Sequence, residues 1–230
     1  MRPEQLVELY PRLFHMANAG SWPAIQSEGL LTTRQLVDAC DPTQAVRDAI
    51  LRQRRPRSFT LTHPTQGSVV VRDQVPLRED NLRACLDSIT VQEWLEILNN
   101  RVFFWLHPDK LSTLLGARRY RNHEHDVITV DTGRLLATHA ANIRLSPVNS
   151  GATIYPSAPQ RGPGTFLRIE DYPYQQRRRG RSVKDAVVEL AVIDGVPDII
   201  DHVLRVERRH GMEILSVLYD RDDDTTTLTG

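Results

Sequence analysis

An α+β fold, a sheet flanked by helices, is the class this sequence predicts, and three observations carry the prediction. Short β-branched or aromatic runs such as "RVFFWL", "DVITV" and "VVELAV" recur along the chain, roughly six to eight in all. Helical periods lie between them without the regular strand-helix alternation that a doubly wound parallel sheet requires. No GxGxxG or Walker-type loop opens any helix, so the familiar nucleotide cradles are absent from the sequence. The 230 residues, 40% of them hydrophobic, suffice for one domain, placed at residues 1–218. From Tyr219 onward, "DRDDDTTTLTG" reads as a disordered acidic and threonine-rich tail, residues 219–230.

In chain order, Leu6, Val7 and Tyr10 mark an amphipathic helix over residues 3–10 that Pro11 ends, because proline has no N–H for the helical ladder. "RLFHM" is a brief strand. Ser21 is placed to cap the next helix, which carries Trp22, Ile25 and Leu30 on one face and stops at Gly29. Thr33 is expected to cap a helix through Leu36, Val37 and Cys40. A further helix from about Pro42 to Arg52 puts Val46 and Ile50 on one face.

"SFTLTH" and "GSVVVRDQ" flank the turn-rich "PTQG", a hairpin over residues 58–73 with Arg72 at its far end. "REDNLRACL" and "TVQEWLEILNN" are helical by period, the second opened by Thr90 with Glu93 in the capping-box position. The aromatic strand "RVFFWL" follows, and then the helix "HPDKLSTLLGAR", ended by Gly116. "DVITVDTGRLLATHA" is a strand leading into a helix; "NIRLSPVNSGAT" is a strand breaking into a polar turn. Residues 155–181, with four prolines, "RGPG" and "QQRRRGR", read as a surface excursion with little regular structure. "DAVVELAVI" is the strongest strand, and "GVPDIIDHVLRVERR" a short helix or helix-strand unit.

The 29 basic and 29 acidic residues cancel, so the overall field favours neither a polyanion nor a membrane. Cys40 and Cys85 form no CxxC or Cys-rich pattern, so neither a disulfide framework nor a zinc cluster is indicated and the cytoplasm is the expected compartment. No run approaches the ~18–20 apolar residues that span a bilayer, and "MRPEQLVELY" lacks a signal pattern.

Four groups of residues bear on chemistry. Glu189 interrupts an apolar strand, where an ionised carboxylate costs several kcal/mol unless it faces a polar cleft or partner; an edge-strand glutamate facing water explains the same letters. Its candidate partner is His15, which alone reads as a satisfied core histidine. Arg101 with Phe103, Phe104 and Trp105 can wall a site for a planar ligand, with Phe103 and Trp105 sharing a face; plain core is the alternative. Asn149, Ser150 and Gly151 can present amide and hydroxyl donors, or form a simple turn. "NHEHD" offers His123, Glu124, His125 and Asp126 as metal-type ligands but lacks HExxH spacing, so no metal is expected. Basic runs such as "RQRRPR" and "QRRRGR" can meet phosphates, or be solvated surface.

The N-terminal "LFHMANAGSWPAIQSEGLL" resembles the opening of the ADP-ribosyltransferase superfamily, especially its DNA-targeting toxin transferases and the RNA 2′-phosphotransferases. The chain order agrees at "RVFFWL", which resembles their aromatic second-motif strand, and at "VVELAVIDGVPDIIDHVLRV", which resembles the toxins' late strand with its catalytic glutamate. The chain also looks like a bacterial family of domains sharing "HMAxxGSWPxI", "IRDQ"-like, "RVFFW", "RLSPxNSG" and "VELAV" segments, over most of residues 10–206.

The superfamily resemblance implies a split-sheet core and NAD as co-substrate. It implies that His15 hydrogen-bonds the adenosine-side ribose and that the Met16 backbone meets the nicotinamide carboxamide. Phe103 or Trp105 would pack on the nicotinamide. Glu189 would bind the nicotinamide-ribose hydroxyl and stabilise charge as the glycosidic bond breaks. An arginine near the phosphates or acceptor is implied, with Arg72 and Arg54 as candidates, while Asn149 and Ser150 are the added ligand donors. A nucleic-acid acceptor and an antitoxin or immunity partner would suit the toxin resemblance. The competing functions are an inactive nucleotide- or protein-binding module of the same fold and a metal-dependent hydrolase built on "NHEHD".

Overall fold

Each apolar period becomes an element that buries it, and the computed structural model describes residues 1–224. The N-terminal third builds helix α1 (Pro3–Leu9), strand β1 (Arg12–Asn18) and helices α2 (Trp22–Glu28), α3 (Thr33–Cys40) and α4 (Gln44–Leu51). The hairpin of β2 (Phe59–His63) and β3 (Gly67–Val71) comes next, then α5 (Glu79–Cys85) and α6 (Val91–Asn99). The middle holds β4 (Arg101–Trp105), α7 (Pro108–Leu115), β5 (Glu124–Asp131), α8 (Thr132–His139) and β6 (Ile143–Ser146). Two short helices, α9 (Tyr174–Arg178) and α10 (Val183–Ala186), precede β7 (Glu189–Ile193), α11 (Ile199–His202), β8 (Val203–His210), β9 (Glu213–Asp220) and the turn α12 (Arg221–Asp224).

Seven strands form one antiparallel sheet in the order β6-β7-β4-β1-β5-β8-β9, and the β2-β3 hairpin stands apart. The fold is therefore mixed α/β with a large antiparallel sheet and flanking helices. Strand alternation sends Leu13, Phe104, Ile128, Leu190 and Val192 into the main core on one face, with Leu6, Leu135 and Ile199 from the helices. Trp94, Leu95 and Leu82 build a second cluster under α5 and α6, and Val37, Ile50, Leu61 and Val71 pack the hairpin onto α3 and α4.

One seam of the sheet is incomplete. Strands β1 and β5 pair over seven residues, but β1 and β4 share the single pair Phe14↔Trp105. Beyond it the two strands separate, and the hairpin covers the opening.

Several sequence expectations change. The α3 cap is Thr32 rather than Thr33: its hydroxyl accepts from the Gln35 amide while Gln35 returns a bond to the Thr32 amide, a reciprocity that needs glutamine at the third helical position. Ser21 precedes α2 without a side-chain cap bond. Gly29 does end that helix, at φ 86°, and a Cβ there would lie 2.5 Å from the Pro197 backbone. That close approach lets Leu30 bridge Val196.

Residues 155–181 have little regular structure, yet they are not a surface excursion. Arg161, Ile169, Tyr172 and Tyr174 are buried, and Leu167 bridges Leu145. The disordered tail expected from Tyr219 is corrected over its first residues: Tyr219 and Asp220 complete β9 and Arg221–Asp224 form a helical turn. Residues 225–230 lie outside the described residues. No helix among the described residues is long and apolar enough to cross a membrane.

Candidate functional site

The opening between β1 and β4 is a cleft of about 500 Å³. Consecutive residues of both strands line it, His15–Asn18 from β1 and Arg101–Phe103 from β4, so the strand edges themselves form its walls. Alternation alone separates His15 from Glu189: His15 pairs with Ile128 on the Phe104 side, whereas Glu189 shares the row of Phe14, Trp105 and Ser146. Where the strands separate, both residues nevertheless line one cleft, and Phe103 lines it with them.

His15 replaces a missing rung of the ladder. Its Nδ1 lies 2.9 Å from the Phe103 carbonyl oxygen, and its ring tilts against Phe104 at 5.7 Å. Burial pushes its pKa down to about 4, against the Phe103 hydrogen bond and helped by the charge of Arg72, so the ring is neutral at pH 7. A carbonyl only accepts, so Nδ1 carries the proton and Nε2 keeps a lone pair for a donor.

Glu189 starts β7, an interior strand between β6 and β4, and is only 5% exposed. The edge-strand reading is thereby excluded. Its Oε2 accepts the Ser150 amide at 3.0 Å. Burial raises its pKa to about 7, opposed by the Ser150 hydrogen bonds and the charge of Arg161. A buried carboxyl raised toward neutrality and facing a cleft is a candidate for chemistry.

Arg72, at the end of the hairpin, donates from Nη1 to the Met16 carbonyl at 2.9 Å and lies 4.8 Å over the Tyr120 ring. The carbonyl and amide of one strand residue point to the same edge, so Met16 presents both toward the cleft and shares its carbonyl with Arg72. Arg54 is turned away, donating to the Leu77 and Val75 carbonyls, and does not line the cleft. Asn149 and Ser150 line it, but the Ser150 amide is already committed to Glu189. Trp105 does not line the main cleft; it walls an adjoining cavity of about 160 Å³ with Leu114, Phe103 and Glu189.

Two arginines that the sequence reading left aside position this site. Arg161, 2% exposed, donates from Nη2 to the Asn149 and Ala152 carbonyls at 2.9 and 2.6 Å, clamping the turn that aims the Ser150 amide. Its backbone exchanges bonds with Cys85 and Asp87, tying the turn to the end of α5. Arg55 donates to the Arg72 carbonyl at 2.9 Å and to Asn99 Oδ1 at 2.8 Å, fixing the root of the hairpin. Nothing in "RGPG" or "RQRRPR" distinguishes these arginines from surface cations.

The "NHEHD" segment is structural. Asp126, fully buried, accepts the Trp22 amide at 3.0 Å and pairs with Arg208 Nε at 2.5 Å. His125 points its Nε2 at the Tyr120 carbonyl, 3.2 Å away, and strand alternation turns it from its neighbours. The hydrolase reading therefore loses its ligand set.

A family model described as Family of unknown function (DUF7002) matches residues 11–203. The chain belongs to this family. The matched span runs from the start of β1 through the first residue of β8 and so holds every cleft residue named above. No curated protein matches the chain.

Proposed function

We propose that this chain is an NAD-dependent ADP-ribosyltransferase with a split-sheet core of that superfamily's type, NAD entering the cleft where β1 and β4 separate. The observation that carries the reading is the meeting of His15, Phe103 and Glu189 at that opening, with Glu189 buried, without an ion pair among the described residues and held by the Ser150 amide.

The residues divide the work by their chemistry. Neutral His15 accepts from an adenosine-ribose hydroxyl at Nε2. The Met16 amide and carbonyl face the nicotinamide carboxamide, and Phe103 supplies a flat apolar wall, backed by Phe166 at 6.0 Å. Ionised Glu189 accepts from the nicotinamide-ribose hydroxyl and stabilises the positive charge that develops as the C–N glycosidic bond breaks. Nicotinamide leaves with the bonding electron pair, the acceptor attacks the ribose carbon, and the acceptor's proton goes to solvent. A nucleic-acid acceptor, and an antitoxin or immunity partner, belong to the same proposal.

Calorimetry with NAD and a nicotinamide-release assay test it. Binding with release, and loss of release in Glu189→Gln with the fold intact, is the expected result; a folded wild-type chain that binds no NAD defeats the proposal. The second reading, an inactive nucleotide-binding module, is favoured by one contact, Arg72 on the Met16 carbonyl that the carboxamide would share. NAD binding without nicotinamide release would select it.

A further inference from the structure

A second constellation lies away from the cleft, at the junction of α8 and α11. His139 is the last residue of α8, Asp198 immediately precedes α11, and His202 is the last residue of α11. His139 Nε2 lies 2.6 Å from Asp198 Oδ1, and His202 Nε2 lies 3.1 Å from Oδ2. The two imidazoles stand edge to face, 5.4 Å between centroids at 85°. One ligand atom of each residue lies within 4.8 Å of those of the other two. None of the three lines the cleft.

We propose that His139, Asp198 and His202 form a binding site for a divalent transition-metal ion of the zinc class. Two imidazole nitrogens and one carboxylate oxygen are the donor set that such ions take, with water completing a tetrahedron. Bonds of about 2.0–2.2 Å place tetrahedral ligand atoms roughly 3.4 Å apart, so the two short contacts need to open by less than about 1 Å. The two Nε2 atoms approach the two oxygens of one carboxylate, so the three donors are gathered within 4.8 Å of one another. The Asp198 side chain is 31% exposed while those of His139 and His202 are 11% and 4% exposed, so the site is walled by the histidines and entered at the aspartate.

The ion would have a structural task. Helix α11 spans four residues, too few to be stable alone, and it leads directly into β8. A metal joining its two ends to α8 closes that unit against the core, and it stabilises only the folded chain.

The test uses the full, tag-free chain, stripped with a chelator and titrated with zinc chloride by calorimetry, with elemental analysis after desalting. A single zinc equivalent and a rise in Tm are expected, and both should be lost or weakened by about tenfold or more in His139→Gln and in Asp198→Asn. No zinc uptake by the wild-type chain, or undiminished uptake in both variants, overturns the site. So does loss of uptake in His123→Gln, an exposed histidine outside it. Because a variant can misfold, the wild-type chain is also read by NMR: zinc should move the ring-nitrogen resonances of His139 and His202, and unchanged resonances overturn the proposal.

Discussion

Two buried carboxylates on the same sheet are treated in opposite ways. At the β5–β8 seam, Asp126 is fully buried and paired with Arg208, and it also accepts the first amide of α2. At the β1–β4 opening, Glu189 is also buried but is held by the Ser150 amide and hydroxyl, with Arg161 acting on it as a more distant charge. The first is neutralised by a partner and holds two elements together. The second keeps its negative form costly until a ligand supplies compensation, which is how a stability cost becomes a binding capability. Burial alone therefore does not single out a functional acid; the role proposed for Glu189 rests on burial in a cleft with no ion pair among the described residues.

Four experiments break or sharpen this contrast. The largest effect is expected from Glu189→Gln, with nicotinamide release reduced by about 10²–10³-fold and Tm equal to or above that of the wild type; a large loss of Tm would place Glu189 with the structural acids. Asp126→Ala should do the reverse, costing about 3 kcal/mol in denaturant unfolding because Arg208 and the Trp22 amide lose their acceptor.

The third experiment uses pH. Glu189 titrates at about 7 when folded, above its ordinary 4.5, so its contribution to stability is complete below 4.5 and is lost as pH rises through 7. The stability of Glu189→Gln relative to wild type should accordingly grow across that window, on the order of 3 kcal/mol, by unfolding at each pH. Turnover should rise as pH passes through about 7, where the folded carboxylate forms. His15 acts in the other direction: with its pKa lowered from 6.5 to about 4, its contribution is present above 6.5 and fades as pH falls toward 4.

The smallest effect belongs to Arg72→Gln, which removes one charge-assisted bond to Met16 and the contact with Tyr120. NAD affinity should fall by about tenfold while Tm moves little, as measured by calorimetry and thermal melts. A tighter complex would instead show that Arg72 obstructs the Met16 carbonyl.

Where local chemistry decides the outcome, the sequence was legible. The Thr90–Glu93 capping box, the hairpin, the stop at Gly29 and the aromatic strand all follow from rules that act over a few residues. Errors arose where a distant partner intervened. Thr32 displaced Thr33 because Gln35 sits at the right offset for it. The proline-rich 155–181 segment reads as solvated because Arg161 gives no sign of the carbonyls that surround it, and nothing near Asp126 in the sequence signals its pairing with Arg208, 82 residues away. The His139, Asp198 and His202 cluster was missed for the same reason, since only the packing of α8 on α11 assembles it.

The sequence by itself determined the mixed α/β class and most element positions, because periodicity and capping are written in neighbouring residues, while the resemblance singles out His15, Phe103 and Glu189. Only the tertiary structure decided that these three meet. Strand alternation sends His15 and Glu189 to opposite faces, and they share a cleft because β1 and β4 pair once and then part, a consequence of long-range packing that no local pattern encodes.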